Sequence, residues 1–300
     1  MSGEIAFANT ALESFAALVT FVLLFACIAK IKMQRGIKHV TSKEAKRNTL
    51  DYILIIWLVI HMIVLTADVL SWTAMDFGKN EVWLLFMLNL TFTCLSLECM
   101  VYTYYVKETI YQHEKIGNTY VYLVMLSTVI AIILWITSDI SGKFYYLDTQ
   151  GNYTQGSIYW LCQFYCIIVM CGNIVILLKH RKALVRHDVL SLLMYGLIPI
   201  ASIPAQMLWK STTFNLATTL VLIYICISVH MAQYDRIVEQ EKILIQQEHE
   251  LSMNQMQMMI AQIQPHFLYN SLTALAQLCS KDPKEAKKAT SILRITGAII

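Results

Sequence analysis

Apolar residues in this chain run in long blocks rather than at the spacing of a surface helix. A helix needs about 20 mostly apolar residues to cross a bilayer. Seven stretches meet that need, at roughly Ala11–Ile31, Thr49–Leu70, Val82–Val106, Asn118–Ser138, Ile158–Leu178, Val189–Trp209 and Thr213–Val229. Past Val229 the pattern changes. Gln233–Gln264 is polar, rich in Gln and Glu, and free of Gly and Pro. Within it Ile237, Leu244, Leu251 and Met258 recur at heptad spacing, as in one seam of a coiled coil. The companion seam positions are Gln240, Gln247 and Asn254, which makes the seam half polar and adjustable. About 32 residues at about 1.5 Å each give a rod of roughly 48 Å. No breaking residue separates it from the seventh apolar stretch.

The pattern therefore predicts an all-α membrane protein: a seven-helix module over 1–230, a coiled-coil helix over 231–262 and a short helical hairpin over 263–300. Composition agrees. Only 14% of the 300 residues are charged, against about 25% in a soluble domain, and mean hydropathy is +0.54. Nothing basic or repetitive points to nucleic acid as a partner. The cations set the orientation. Lys30, Lys32, Arg35, Lys38, Lys43, Lys46, Arg47, Lys107, Lys115, Lys179, Arg181, Lys182 and Arg186 fall on one side, against Lys79, Lys143 and Lys210 on the other. Positive loops stay in the cytoplasm, so the N-terminus is expected outside and the tail inside. Trp72, Trp83, Trp135, Trp160 and Trp209 all lie at expected outer ends, where indoles collect, and only Trp57 lies mid-segment.

Met1 to Leu12 has no Lys or Arg, so the first segment is not read as a cleavable signal peptide. Of the 8 cysteines none lies in an expected outer loop, which argues against a disulfide framework. Cys162 and Cys166 sit one helical turn apart and read as packing residues rather than a metal or redox pair; no metal site is expected. The largest outer loop, Asp139–Ser157, alternates aromatic and polar residues around Gly151-Asn152 and predicts a β-hairpin capping the bundle. Its Asn152-Tyr-Thr154 sequon reads as a chance match in a bacterial protein.

The segment Gln262-Ile-Gln-Pro-His-Phe-Leu-Tyr-Asn-Ser-Leu272 carries the chemistry. Phe267, Leu268, Leu272, Leu275 and Leu278 make an apolar helical stripe, with His266 on its flank and Asn270 one turn further along. Pro265 is expected to kink the helix. Lys281-Asp-Pro-Lys284 reads as a turn, and Glu285–Arg294 as a second helix. Two such hairpins pair into a four-helix bundle.

These residues resemble the phosphoacceptor box of the autolysin-sensor type of bacterial membrane histidine kinases, over about 30 residues. The apolar region, with its Tyr145-Tyr-x-Asp and Gly151-Asn-Tyr outer loop, more loosely resembles the seven-helix receptor modules that precede such kinases. The resemblance implies a homodimer in the lipid bilayer, responding to a small-molecule or membrane stimulus. It implies phosphorylation of His266 by ATP with Mg2+ and transfer to an aspartate of a response regulator. A neutral imidazole nitrogen suits that role near neutral pH. Phe267 stands where many sensor kinases place an acid, so Asn270 is the candidate orienting group and any base comes from elsewhere. The pattern departs from the family after Ala289, where Ser-Ile-Leu-Arg-Ile-Thr follows, and no Gly-rich or Asn-rich nucleotide segment occurs. An ATP lobe absent through frameshift, truncation or a partial sequence is the expectation, with no autophosphorylation by these residues alone.

Polar residues inside lipid-spanning segments are candidates for sensing. His61 lies mid-segment, Asn89 and Glu98 lie in the third segment, and Asp68, Asp139 and Gln206 lie near outer ends. Pro199, Pro204 and Gly196 are expected to bend the sixth segment and open a cavity beside it. An outward pocket lined by Asp68, Asp139, Gln206 and His61 competes with plain interhelical hydrogen bonding. A retinal receptor would need a lysine in Thr213–Val229, which has none, and an odd number of crossings makes a poor inverted-repeat transporter. A non-enzymatic receptor that docks a separate output protein stays open.

Overall fold

The computed structural model describes residues 3–35, 42–77, 81–148, 153–209 and 212–296. In chain order these form α1 (Gly3–Arg35), α2 (Ser42–Phe77), α3 (Glu81–Tyr111), α4 (Thr119–Ile136), α5 (Ser138–Ser141), β1 (Tyr145–Leu147), β2 (Tyr153–Gln155), α6 (Trp160–Lys179), α7 (Arg186–Trp209), α8 (Thr213–Lys281) and α9 (Pro283–Thr296). Two compact units emerge, Met1–Met231 and Ala232–Ile300, divided within α8.

In the first unit, six helices are long and apolar enough to cross a membrane: Phe7–Lys32, Thr49–Ala74, Glu81–Tyr111, Thr119–Ile136, Arg186–Gln206 and Thr213–Met231. This suggests a membrane protein. The sequence predicts seven crossings. The remaining one corresponds to α6, whose described apolar part is the shorter Phe164–Lys179. Helices serve here because hydrocarbon leaves backbone amides no other partner. Apolar residues also cover the outside: Phe15, Leu18, Phe21 and Phe25 of α1 and Leu123, Leu126, Ile130 and Ile133 of α4 are exposed, as lipid-facing stripes are.

Trp57 explains its own exception to the interfacial pattern. It is fully buried, with ring centroids 5.6 Å from both Tyr102 and Tyr105 and 4.5 Å from Tyr195, edge to face. The indole thus joins α2 to α3 and α7. Tyr102 donates to the Leu192 carbonyl at 2.8 Å, tying α3 to α7 again. Gly196 lets α7 approach α6, because a Cβ there would come within 2.8 Å of Ile174. Pro199 and Pro204 both lie inside α7, and Ser202 donates to the Pro199 carbonyl at 2.7 Å.

The expected hairpin is present. β1 and β2 pair antiparallel, Tyr145 with Gln155, Tyr146 with Thr154 and Leu147 with Tyr153, while Gly151-Asn152 lies outside the described residues. The hairpin is anchored from below. The Ser138 hydroxyl accepts from the Tyr145 amide and donates to its carbonyl, both at 3.0 Å. The Tyr145 ring stacks on Phe92 at 5.2 Å, and its hydroxyl reaches Asn89 and the Trp135 carbonyl. Trp135, which its position marks as interfacial, is instead buried under Phe144 and donates to Ser96 at 2.8 Å. At Gly156 a Cβ would collide with the Lys143 carbonyl, so only glycine closes the second strand. Tyr145→Ala is expected to cost about 3–5 kcal/mol, the range of a buried aromatic lost to a cavity. Denaturant titration of the protein in detergent would read this, and an unchanged midpoint would count against the anchoring role.

In the second unit, α8 runs on to Lys281 as one α-helical element, so the kink expected at Pro265 does not end it. Asp282 starts α9. Its Oδ1 accepts from the amides of Lys284 at 3.0 Å and Glu285 at 3.4 Å, with Pro283 at the first helical position, which has no amide to orphan. Ala286 of α9 is buried.

Candidate functional site

Two groups of residues are candidates for the site, one in each unit. In the second, His266 falls inside α8, but its side chain lies outside the described residues, as do those of Phe267 and Leu268. Asn270 is exposed on the same helix, one turn on. Tyr269 and Leu272 are exposed, and Leu275 and Leu278 are half-buried. Further up α8, Leu244, Leu251 and Met258 are each about three-fifths exposed, while Ile237 lies outside the described side chains. Ile243, Ile245, Met253, Met256 and Met259 are exposed beside them. Large apolar side chains on a polar helix mark a surface that has yet to be covered.

The first unit contains a chain of buried polar groups spanning five helices. At one end Asn215 of α8 donates through one amide nitrogen to Glu13 Oε1 of α1 at 2.9 Å and to Asp68 Oδ2 of α2 at 2.8 Å. The Asn215 carbonyl accepts from Thr219 at 2.7 Å, and the Thr219 hydroxyl lies 2.8 Å from His61 Nε2. His61 Nδ1 lies 2.9 Å from Glu98 Oε1 of α3, and Tyr195 of α7 donates to the same oxygen at 3.0 Å. Glu13, His61, Glu98, Tyr195 and Thr219 are all buried. Buried polar groups persist in such a setting only when partnered, so the chain also fixes which helix faces meet.

The structure therefore brings together Asp68 and His61, two of the four sensing candidates, on one connected network. Gln206 is half-buried with its Oε1 unpartnered, and Asp139 lies in α5 with its side chain outside the described residues. The network also contains Glu13, Asn215, Thr219 and Tyr195, which sequence reasoning missed. The signal for two of them was present: Glu13 is the one acidic residue inside the first apolar segment, and Asn215 is the one amide in the last. Cys166 is in contact with Cys99 of α3, and Cys27 with Cys226 of α8; Cys162 lies outside the described side chains. At the helix ends rich in cations, Lys30 pairs with Asp51 at 2.7 Å and His180 with Glu114 at 2.9 Å.

Residues 254–295 match the family model described as histidine kinase. The matched stretch contains His266 and Asn270 and runs through α9. It supports a histidine-kinase signalling role, a class that in general works through dimers and response-regulator partners. No curated protein matches the chain.

Proposed function

We propose that the protein is a membrane sensor histidine kinase of the autolysin-sensor type, with His266 as its phosphoacceptor and seven membrane crossings. The carrying observation is the match over 254–295, which takes in the Pro265-His-Phe-Leu-Tyr-Asn270 core. In this reading α6 is the remaining crossing, the N-terminus is outside and the helical tail is cytoplasmic. A stimulus reaches Asp68, Asp139 and Gln206 near the outer ends and, further in, His61. Its effect passes along α8, the element to which both Asn215 and His266 belong. The exposed Leu244, Leu251 and Met258 are covered by the same face of a second copy, giving a homodimer.

ATP with Mg2+ is the phosphoryl donor. These 300 residues contain no Gly-rich phosphate cradle, so the part assigned to them is to accept. An imidazole nitrogen of His266 attacks the γ-phosphorus, an N–P bond forms as the bond to ADP breaks, and the ring proton leaves to solvent or a base. Asn270 orients the incoming phosphoryl group by hydrogen bonding, and an aspartate of a response regulator takes it next.

The nature of the bond tests this. When membranes carrying the native gene product receive labelled ATP, the protein is expected to take up label that acid removes and alkali leaves, as a phosphoramidate does. Acid-stable label, characteristic of a serine or threonine ester, would overturn the reading.

A further inference from the structure

The outer part of the buried chain has an excess of negative groups. Glu13 and Asp68 come from helices far apart in sequence and converge on one nitrogen, the amide of Asn215. The two carboxyls are thus neighbours across that nitrogen, and they can hydrogen-bond to one another only if one of them keeps its hydrogen, because a carboxylate only accepts. Asp68 is also faced by Ser71 and Trp72 on α2, neither of them a cation. From α8 they are faced by Asn215, which does not titrate, and among the described residues no Lys, Arg or His hydrogen-bonds to either acid. Through Thr219 the hydrogen-bonded chain goes on to the titratable groups His61, Glu98 and Tyr195. Glu13 is fully buried, and its Oε2 finds no donor. Two adjacent anions with no countercharge cannot persist in such a place.

We propose that Glu13 and Asp68 form a proton-binding site, sharing one proton between two carboxyls, and that Asn215 reports its occupancy to α8. This rests on the membrane-sensor reading and gives its outer polar cluster a ligand. One carboxyl donates to the other, and the Asn215 amide donates to both. Asp68 is half-buried where Glu13 is sealed, so exchange with the outside runs through Asp68. When the proton leaves, two carboxylates repel across the α1–α2 contact and compete for one amide group. The outer end of α8 is then displaced, and with it the hydrogen bond from Thr219 to the Asn215 carbonyl.

Infrared difference spectra of the protein in membranes, recorded while pH is varied, test the site. Wild type is expected to show a protonated-carboxyl C=O band that persists in Glu98→Gln. The band should vanish in Glu13→Gln and in Asp68→Asn, because a single remaining acid can stay ionised between two amide donors. Circular dichroism checks that both variants keep their helices. If they do not, wild type decides alone: absence of any protonated-carboxyl band at neutral pH overturns the proposal, as does a band unchanged in both folded variants. Coupling to α8 is read separately, as labelling of His266 that varies with pH in wild type and loses that dependence in Glu13→Gln. Labelling of wild type that ignores pH overturns the coupling. No label at any pH would instead refute the kinase reading and leave the infrared result to decide the site.

Discussion

His266→Ala is expected to reduce phosphoryl labelling of the native protein to background while leaving its membrane insertion and helix content unchanged. The other histidines stand in different settings. His61 is buried beside Glu98 and hydrogen-bonded to Thr219, and His180 is paired with Glu114. His39, His113, His187, His230 and His249 lie outside the matched stretch. Alanine at 266 removes the nucleophile and is a good helix former, so α8 loses nothing by the change. The measurement is acid-labile label from ATP, with total protein in the membrane fraction as the control. Label retained in His266→Ala would move the phosphoacceptor elsewhere and break the argument from the Pro-His-Phe-Leu-Tyr-Asn motif. Asn270→Ala should lower the rate without abolishing it, since an orienting group places the phosphoryl rather than bonds to it.

Replacing Gln240, Gln247 and Asn254 together with Leu is expected to lock the protein's output, on or off, against its stimulus. The three are exposed polar side chains, interleaved at seam positions with Leu244, Leu251 and Met258. Polar seam residues weaken a coiled coil and keep alternative packings close in energy. Burying a Leu contributes about 1.5–3 kcal/mol, so three favour one packing by several kcal/mol. About 5.5 kcal/mol is enough to turn a 1:99 population into 99:1. A cysteine at 244 in a cysteine-free background reports the packing by disulfide crosslinking to its twin. In the native seam the yield should change with stimulus, and in the triple variant it should be high and constant. Stimulus-dependent labelling that survives all three substitutions would make the rod a passive tether, and failure to crosslink at all would count against the dimer.

The helices and the hairpin were legible because each depends on a local pattern. An unbroken apolar run has one outcome in lipid, and alternating aromatics around Gly-Asn have few. Direction was less legible. Trp135 and Trp57 are both indoles in apolar segments, yet sequence position does not say that Trp135 turns inward beneath Phe144 or that Trp57 is boxed by three tyrosines. The buried network was half legible. His61 and Asp68 stand out as ionisable residues in apolar surroundings, but their partners lie 158 and 147 residues away on α8. Glu13 sits near the edge of its segment, where an acid reads as interfacial, and only packing against α8 places it inside. Pro265 leaves α8 running on past it, since the cost of a proline in a helix is local and the rest of a long helix can absorb it.

The bundle's helices differ greatly in length. At about 1.5 Å per residue, the 31 residues of α3 extend roughly 46 Å, whereas the 18 residues of α4 reach only about 27 Å. The hydrocarbon layer is about 30 Å thick. In a bilayer of that thickness α3 would lean or project into the headgroups, while α4, with Leu123, Leu126, Ile130 and Ile133 facing outward, would draw the leaflets toward each other. Membrane thickness thus acts on the two neighbours in opposite senses. A thicker bilayer strains α4 and relieves α3, so acyl-chain length bears directly on how the two helices pack.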